Sequence, residues 1–83
     1  MLREEIYPLV RDIVADALRV KPAVLTPESR LREQFGADSM HLVSILIGLD
    51  AAFDQEFDPE AIPKSEVTLN WIVDHVACVL GAR

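Results

Sequence analysis

The chain has 83 residues, 51% of them apolar and 27% charged, which is the make-up of one small domain with a real but marginal core. No apolar run approaches the roughly 20 residues a membrane helix needs, and no basic-then-apolar leader opens the chain. A net charge of −6 argues against nucleic acid, and the lone Cys78 cannot form an internal disulfide, so a reducing cytoplasm is the expected compartment.

The charge is unevenly placed. Residues 1–35 hold six acids and six bases, whereas residues 36–83 hold eight acids against Lys64 and Arg83. The back half is therefore an anionic surface that would steer a partner with basic patches, or simply one that keeps a small protein soluble.

Ile6, Leu9, Val10, Ile13, Val14, Ala17 and Leu18 recur at intervals of three and four, which lays one apolar stripe along a first helix. Glu4 and Glu5 near its start, and Arg19 and Lys21 near its end, suit the helix dipole. Pro8 is comfortable only in a first turn, so the regular helix is expected to start near Glu5 or to kink. Lys21-Pro22 ends it. Residues 22–38 form a long connection with two prolines, pinned by Leu25, Leu31 and Phe35, with a helical turn expected within 28–34.

A second helix runs from Ser39 to Phe53 and is apolar almost all round, with His41, Ser44, Gly48 and Asp50 as a narrow polar stripe. Such a helix is either deeply buried or offers an apolar side to a partner. Asp54, Glu56, Asp58 and Glu60, with Pro59 and Pro63, then read as an irregular acidic connection holding at most one helical turn near 60–62. The closing helix places Leu69, Ile72, Val73, Val76 and Leu80 on one face, with Thr68 as its cap and Gly81 as its end. Nothing alternates as a strand does. The fold class expected is all-α: residues 1–83 form one domain, a small bundle of three main helices plus a short fourth, with a long first loop.

The sharpest local feature is Gly36-Ala37-Asp38-Ser39-Met40, where a loop turns into the second helix. Asp38 can cap the free amides of the helix start, and Ser39 then presents its hydroxyl to solvent. Unpaired N–H groups and partial positive charge there would stabilise a phosphate carried by that serine. Asp38 and Ser39 also read as plain caps, the commonest reason for such residues at a helix start.

No convergent enzyme site is legible. Ser39 and His41 lie two apart on a helix and diverge. His75 and Cys78 are two ligands at most, better read as a surface histidine and a core cysteine than as a zinc site. The acidic run from Asp54 to Glu60 lacks the spacing of a calcium loop.

Over nearly its full length the chain resembles the acyl carrier protein family, with its peptidyl and aminoacyl carrier relatives. The residues that carry the resemblance are Thr26-Pro27-Glu28-Ser29, Phe35-Gly36-Ala37-Asp38-Ser39-Met40, Phe53-Asp54 followed by Phe57, and Thr68-Leu69. The resemblance implies that a phosphopantetheinyl transferase attaches 4′-phosphopantetheine from coenzyme A to Ser39. The arm's thiol would then hold an acyl or aminoacyl group as a thioester for cargo-loading ligases or synthases, with no catalytic residue in the carrier. A cleft for the cargo is expected between the second and last helices, lined by Val43, Leu46 and Ile47 facing Ile72 and Val76, although each of these also reads as ordinary core.

The second helix departs from the carboxylate-rich pattern of many fatty-acid carriers: His41, Ser44, Ile47 and Gly48 stand two, five, eight and nine residues after Ser39. Ile62-Pro63 also interrupts the region where relatives form a short third helix. Partner contact is accordingly expected at Asp38, Met40, His41, Ile47 and Asp50, with more apolar and less salt-dependent recognition. This favours a specialised pathway. Separately, a monomer with no metal, membrane or nucleic-acid partner is expected, and a free-standing one, since the chain opens close to the first helix and closes soon after Leu80 without linkers. The rival reading is an unmodified carrier-like module that docks partners through the same apolar helix.

Overall fold

The computed structural model describes residues 2–81, and among these it contains four α-helices and no strand. They are α1 (Arg3–Leu18), α2 (Leu31–Phe35), α3 (Ser39–Phe53) and α4 (Leu69–Leu80), with 3-10 turns at Pro22–Val24 and Pro59–Ala61. The short fourth α-helix thus lies in the first loop, and the acidic connection holds only a 3-10 turn. The expected extents of α3 and α4 match these elements. So do the cap at Thr68, whose Oγ1 accepts the Trp71 amide at 3.0 Å, and the end at Gly81.

The expected start of α1 is corrected. The helix begins at Arg3, with Pro8 inside it. Glu5 makes this possible by reaching back, its Oε1 accepting the Leu2 amide at 2.8 Å. That satisfies a free donor at the helix start, while Pro8 leaves one later backbone bond unmade. Ile6, Val10, Val14 and Ala15 face the core, but Leu9 turns out to solvent. Arg3 ties the start of α1 to α4, its Nε donating to Asp74 at 2.8 Å and its Nη2 to Asn70.

α1 packs against both α3 and α4, and the buried side chains Ile45, Leu49, Leu69, Val73 and Val76 close the core around it. Close approach to α3 depends on Gly48. A Cβ built there would stand 2.8 Å from Ile13 Cγ2, a methyl on the branched carbon that cannot swing away as a long side chain could.

The long loop is held by polar contacts as much as by its apolar pins. Ser29, the one buried polar residue among the described residues, accepts the Thr26 amide on its Oγ at 2.8 Å and fixes a tight turn. The carbonyls of Pro27 and Ser29 then accept the Asn70 and Leu69 amides at 2.8 and 3.0 Å, so the turn caps the start of α4. In return, Glu66 beside α4 caps α2 by accepting the Arg32 and Glu33 amides at 2.8 and 2.9 Å. Leu31 donates to the Val67 carbonyl between these contacts, and Val67 is fully buried. Partial removal from water pushes the Glu66 carboxyl up, but the amides of Arg32, Val67 and Glu33 and the charge of Arg30 outweigh it, holding the group below its usual range.

Three expected outcomes follow from this packing. Thr68→Ala should lose about 1 kcal/mol and roughly 4–8 °C in Tm, read by circular dichroism on melting. Because the folded value of Glu66 is lowered, its stabilisation is present above about pH 4.3 and fades as pH falls through the lowered value; Glu66→Gln should flatten the fall of Tm with pH below that point. Gly48→Ala gains about 1 kcal/mol of helix propensity but pays about 1–3 kcal/mol for the clash, so the net effect should be a loss of about 1 kcal/mol, recovered in part when Ile13→Ala removes the methyl.

Candidate functional site

The chain turns from α2 into α3 in three residues. Gly36 ends α2 with φ +65, a left-handed conformation that side chains resist, and donates its amide to Arg32. Ala37 is buried and anchors the turn, and Asp38 is extended, as a helix cap requires. Asp38 Oδ1 accepts the His41 amide at 3.0 Å, and the Asp38 amide donates to His41 Nδ1 at 3.2 Å. The pair thus satisfies donors at the start of α3 from both sides, with histidine in the place a glutamate or glutamine commonly takes.

His41 Nδ1 also lies 2.9 Å from Asp38 Oδ1. The bond from the His41 amide is the largest influence on Asp38, and with the charge of His41 it holds the carboxyl below its ordinary range against a smaller opposing effect of desolvation.

Ser39 is the first residue of α3 and is exposed. Beside it runs a groove of about 610 Å³ whose apolar wall is Leu42, Val43 and Leu46 of α3. The facing wall is Pro59, Glu60, Ile62 and Lys64, with Arg32 of α2 also lining it. The expected cleft between α3 and α4 is corrected by this arrangement. Ile72 and Val76 are closed into the core and Ile47 faces solvent, so only Val43 and Leu46 of the five named residues line the groove. The lining residues missed in the sequence are Arg32, Leu42, Pro59, Glu60, Ile62 and Lys64, of which Lys64 carried a signal as an isolated base in an acidic half.

The outward side of α3 is apolar. Met40 is 74% exposed and Ile47 63%, with Val43 and Ser44 also exposed between them. These residues are three and four apart and therefore share one face. Asp50, in contrast, turns inward enough for Oδ1 to accept the Phe57 amide at 2.9 Å, which ties the acidic connection to α3. Asp38, Met40 and His41 thus cluster at the start of α3, Ile47 lies two turns further on, and Asp50 braces the other end.

Cys78 is exposed, which corrects its reading as a core residue, and His75 is half-buried with its ring stacked on Trp71 at 5.0 Å. No group of three or more His, Cys, Asp or Glu side chains converges among the described residues. Nor is any helix there long and apolar enough to cross a membrane.

Residues 8–76 match the family model for the phosphopantetheine attachment site. The chain is also similar to the acyl carrier protein of Rubrobacter xylanophilus, with 37% identity over 78 residues that cover 90% of this chain and 96% of that relative. Members of this family carry a covalently attached 4′-phosphopantetheine and work with phosphopantetheinyl transferases and synthase or ligase enzymes, contributing no catalysis themselves. By both comparisons, and with a helical bundle that agrees with them, the chain belongs to the acyl carrier protein family and is a carrier protein, not an enzyme.

Proposed function

We propose that Ser39 is the residue that takes the phosphopantetheine arm, and that the arm's thiol carries an acyl or aminoacyl group as a thioester. One observation carries the assignment: Ser39 is exposed at the first position of a long helix and borders a groove walled by Leu42, Val43, Leu46 and Ile62. The hydroxyl is open to a transferase. The free amides of the helix start favour the phosphodiester that would form, and Leu42, Val43, Leu46 and Ile62 can shelter an apolar cargo from water.

Partner enzymes dock on the outer face of α3, with Met40 and Ile47 as the apolar contacts and Asp38 and His41 at the rim beside the arm. Asp50 supports this face from within through Phe57. The helix offers little charge outside Asp38, so recognition rests on shape and apolar burial and is weakly dependent on salt. That points to a small set of dedicated partners in a specialised pathway. The protein works as a monomeric single domain in the cytoplasm.

Incubation with coenzyme A and a broad-specificity phosphopantetheinyl transferase should add one phosphopantetheine to the intact mass. Ser39→Ala should add none while its circular dichroism stays helical, and a gain in that variant would sink the assignment. Ile47→Asp should leave stability within about 0.5 kcal/mol, since the residue is exposed, yet slow loading by the protein's own ligase or synthase by roughly five- to thirtyfold, measured as thioester formed per minute.

A further inference from the structure

The groove beside Ser39 combines an apolar wall with two cations that no carboxylate neutralises. Lys64 is the only lysine or arginine in 36–81, a stretch with eight acids, and it lines the groove. Among the described residues it forms no ion pair, although Glu60 lines the same wall. Arg32 comes from the other half of the chain. Its Nε donates to the Ser65 carbonyl at 2.8 Å and its Nη2 to the Pro63 carbonyl at 2.9 Å, one residue to either side of Lys64.

Those two bonds fix the guanidinium plane but leave its charge uncancelled, because their acceptors are neutral carbonyls. A positive charge meant only for solubility would need no such clamp. Held at the edge of a groove, it is preorganised for an anionic oxygen group. Glu33 and Glu66, the acids nearest in sequence, are engaged elsewhere: Glu33 pairs with Arg30, and Glu66 accepts backbone amides.

We infer that Arg32 and Lys64 form a cationic rim that receives an anionic group carried on the arm, drawing the attached chain into the groove. This rests on the assignment of the arm to Ser39. The shared chemistry is an anionic oxygen cluster next to an apolar segment, and it has two sources: the phosphodiester at the root of the arm, or a carboxylate at the far end of the cargo. Arg32 and Lys64 are positioning residues here, with no bond made or broken by either.

Three forms of the protein separate these sources: the plain arm from coenzyme A, a butyryl arm and a succinyl arm, each transferred from its coenzyme A ester and verified by intact mass. The last two match in carbon count and differ in the terminal carboxylate. The readouts are the backbone amide shifts of Leu42, Leu46 and Ile62 by NMR and the hydrolysis half-life of each thioester, with and without about 1 M salt, where screening acts beyond about 3 Å. Lys64→Gln is the main variant, because Lys64 is exposed and forms no ion pair among the described residues. Arg32→Lys, which keeps the charge but loses the fork, is the second.

If the phosphodiester is the ligand, the plain arm alone should shift the groove amides, and Lys64→Gln or salt should remove the shift. If the cargo carboxylate is the ligand, only the succinyl form should respond: its groove amides shift, and its half-life falls roughly two- to fivefold in Lys64→Gln or in salt while that of the butyryl form does not change. Groove shifts and half-lives that are indifferent to Lys64→Gln and to salt in all three forms would overturn the inference while leaving Ser39 as the attachment residue. A missing mass gain would overturn both.

Discussion

The reciprocal capping of α2 and α4 is the contact on which the rest of this small protein depends. Neither helix start is finished by its own sequence alone. The turn around Ser29 supplies carbonyls to α4, and Glu66 supplies a carboxylate to α2. Because the two segments cap each other, a loop that would otherwise be a long unstructured crossing becomes a wall of the molecule. The clasp also fixes where α2 ends, and Gly36 and Asp38 convert that end directly into the start of α3. The exposed Ser39 is therefore placed by hydrogen bonds that join segments more than thirty residues apart in the chain.

α3 divides its circumference into separate tasks. Ile45 and Leu49 enter the core, Leu42 and Leu46 meet both core and groove, and Met40 and Ile47 face outward. A helix so apolar would aggregate if it were free and would be useless for docking if it were fully covered. Gly48 sets the balance by letting α1 press close along one side through Ile13. The acidic connection closes another side from Phe57 onward, held by Asp50, which leaves the outer face open.

Periodicity made the long helices legible, because Leu69, Ile72, Val73 and Val76, or the run from Ser39 to Phe53, record burial directly in their spacing. Thr68, Gly81 and Asp38 marked boundaries for equally local reasons. The start of α1 was less legible: Pro8 suggested a later beginning, and the Glu5 carboxylate that sustains the earlier one announces itself only through geometry. The groove was misplaced for a different reason. Its facing wall is built by Pro59, Ile62 and Lys64, residues with no periodic pattern, and by Arg32, which arrives through the clasp. The face of Cys78 was misjudged because a small apolar-leaning side chain fits either side of α4. Interactions between distant irregular segments leave no signature in either one alone.

The clasp also has a temporal side. Arg32 and Glu66 are 34 positions apart, so joining them closes a loop that contains the whole of α3. Closing such a loop carries an entropic cost that local helix formation does not, and the contacts that repay it form only once the chain ends of the loop have met. The helices of the bundle can therefore gather early while the hydroxyl at the start of α3 acquires its final setting late, with the last long-range contacts. The same local opening that frees the clasp releases Ser39 from its folded surroundings.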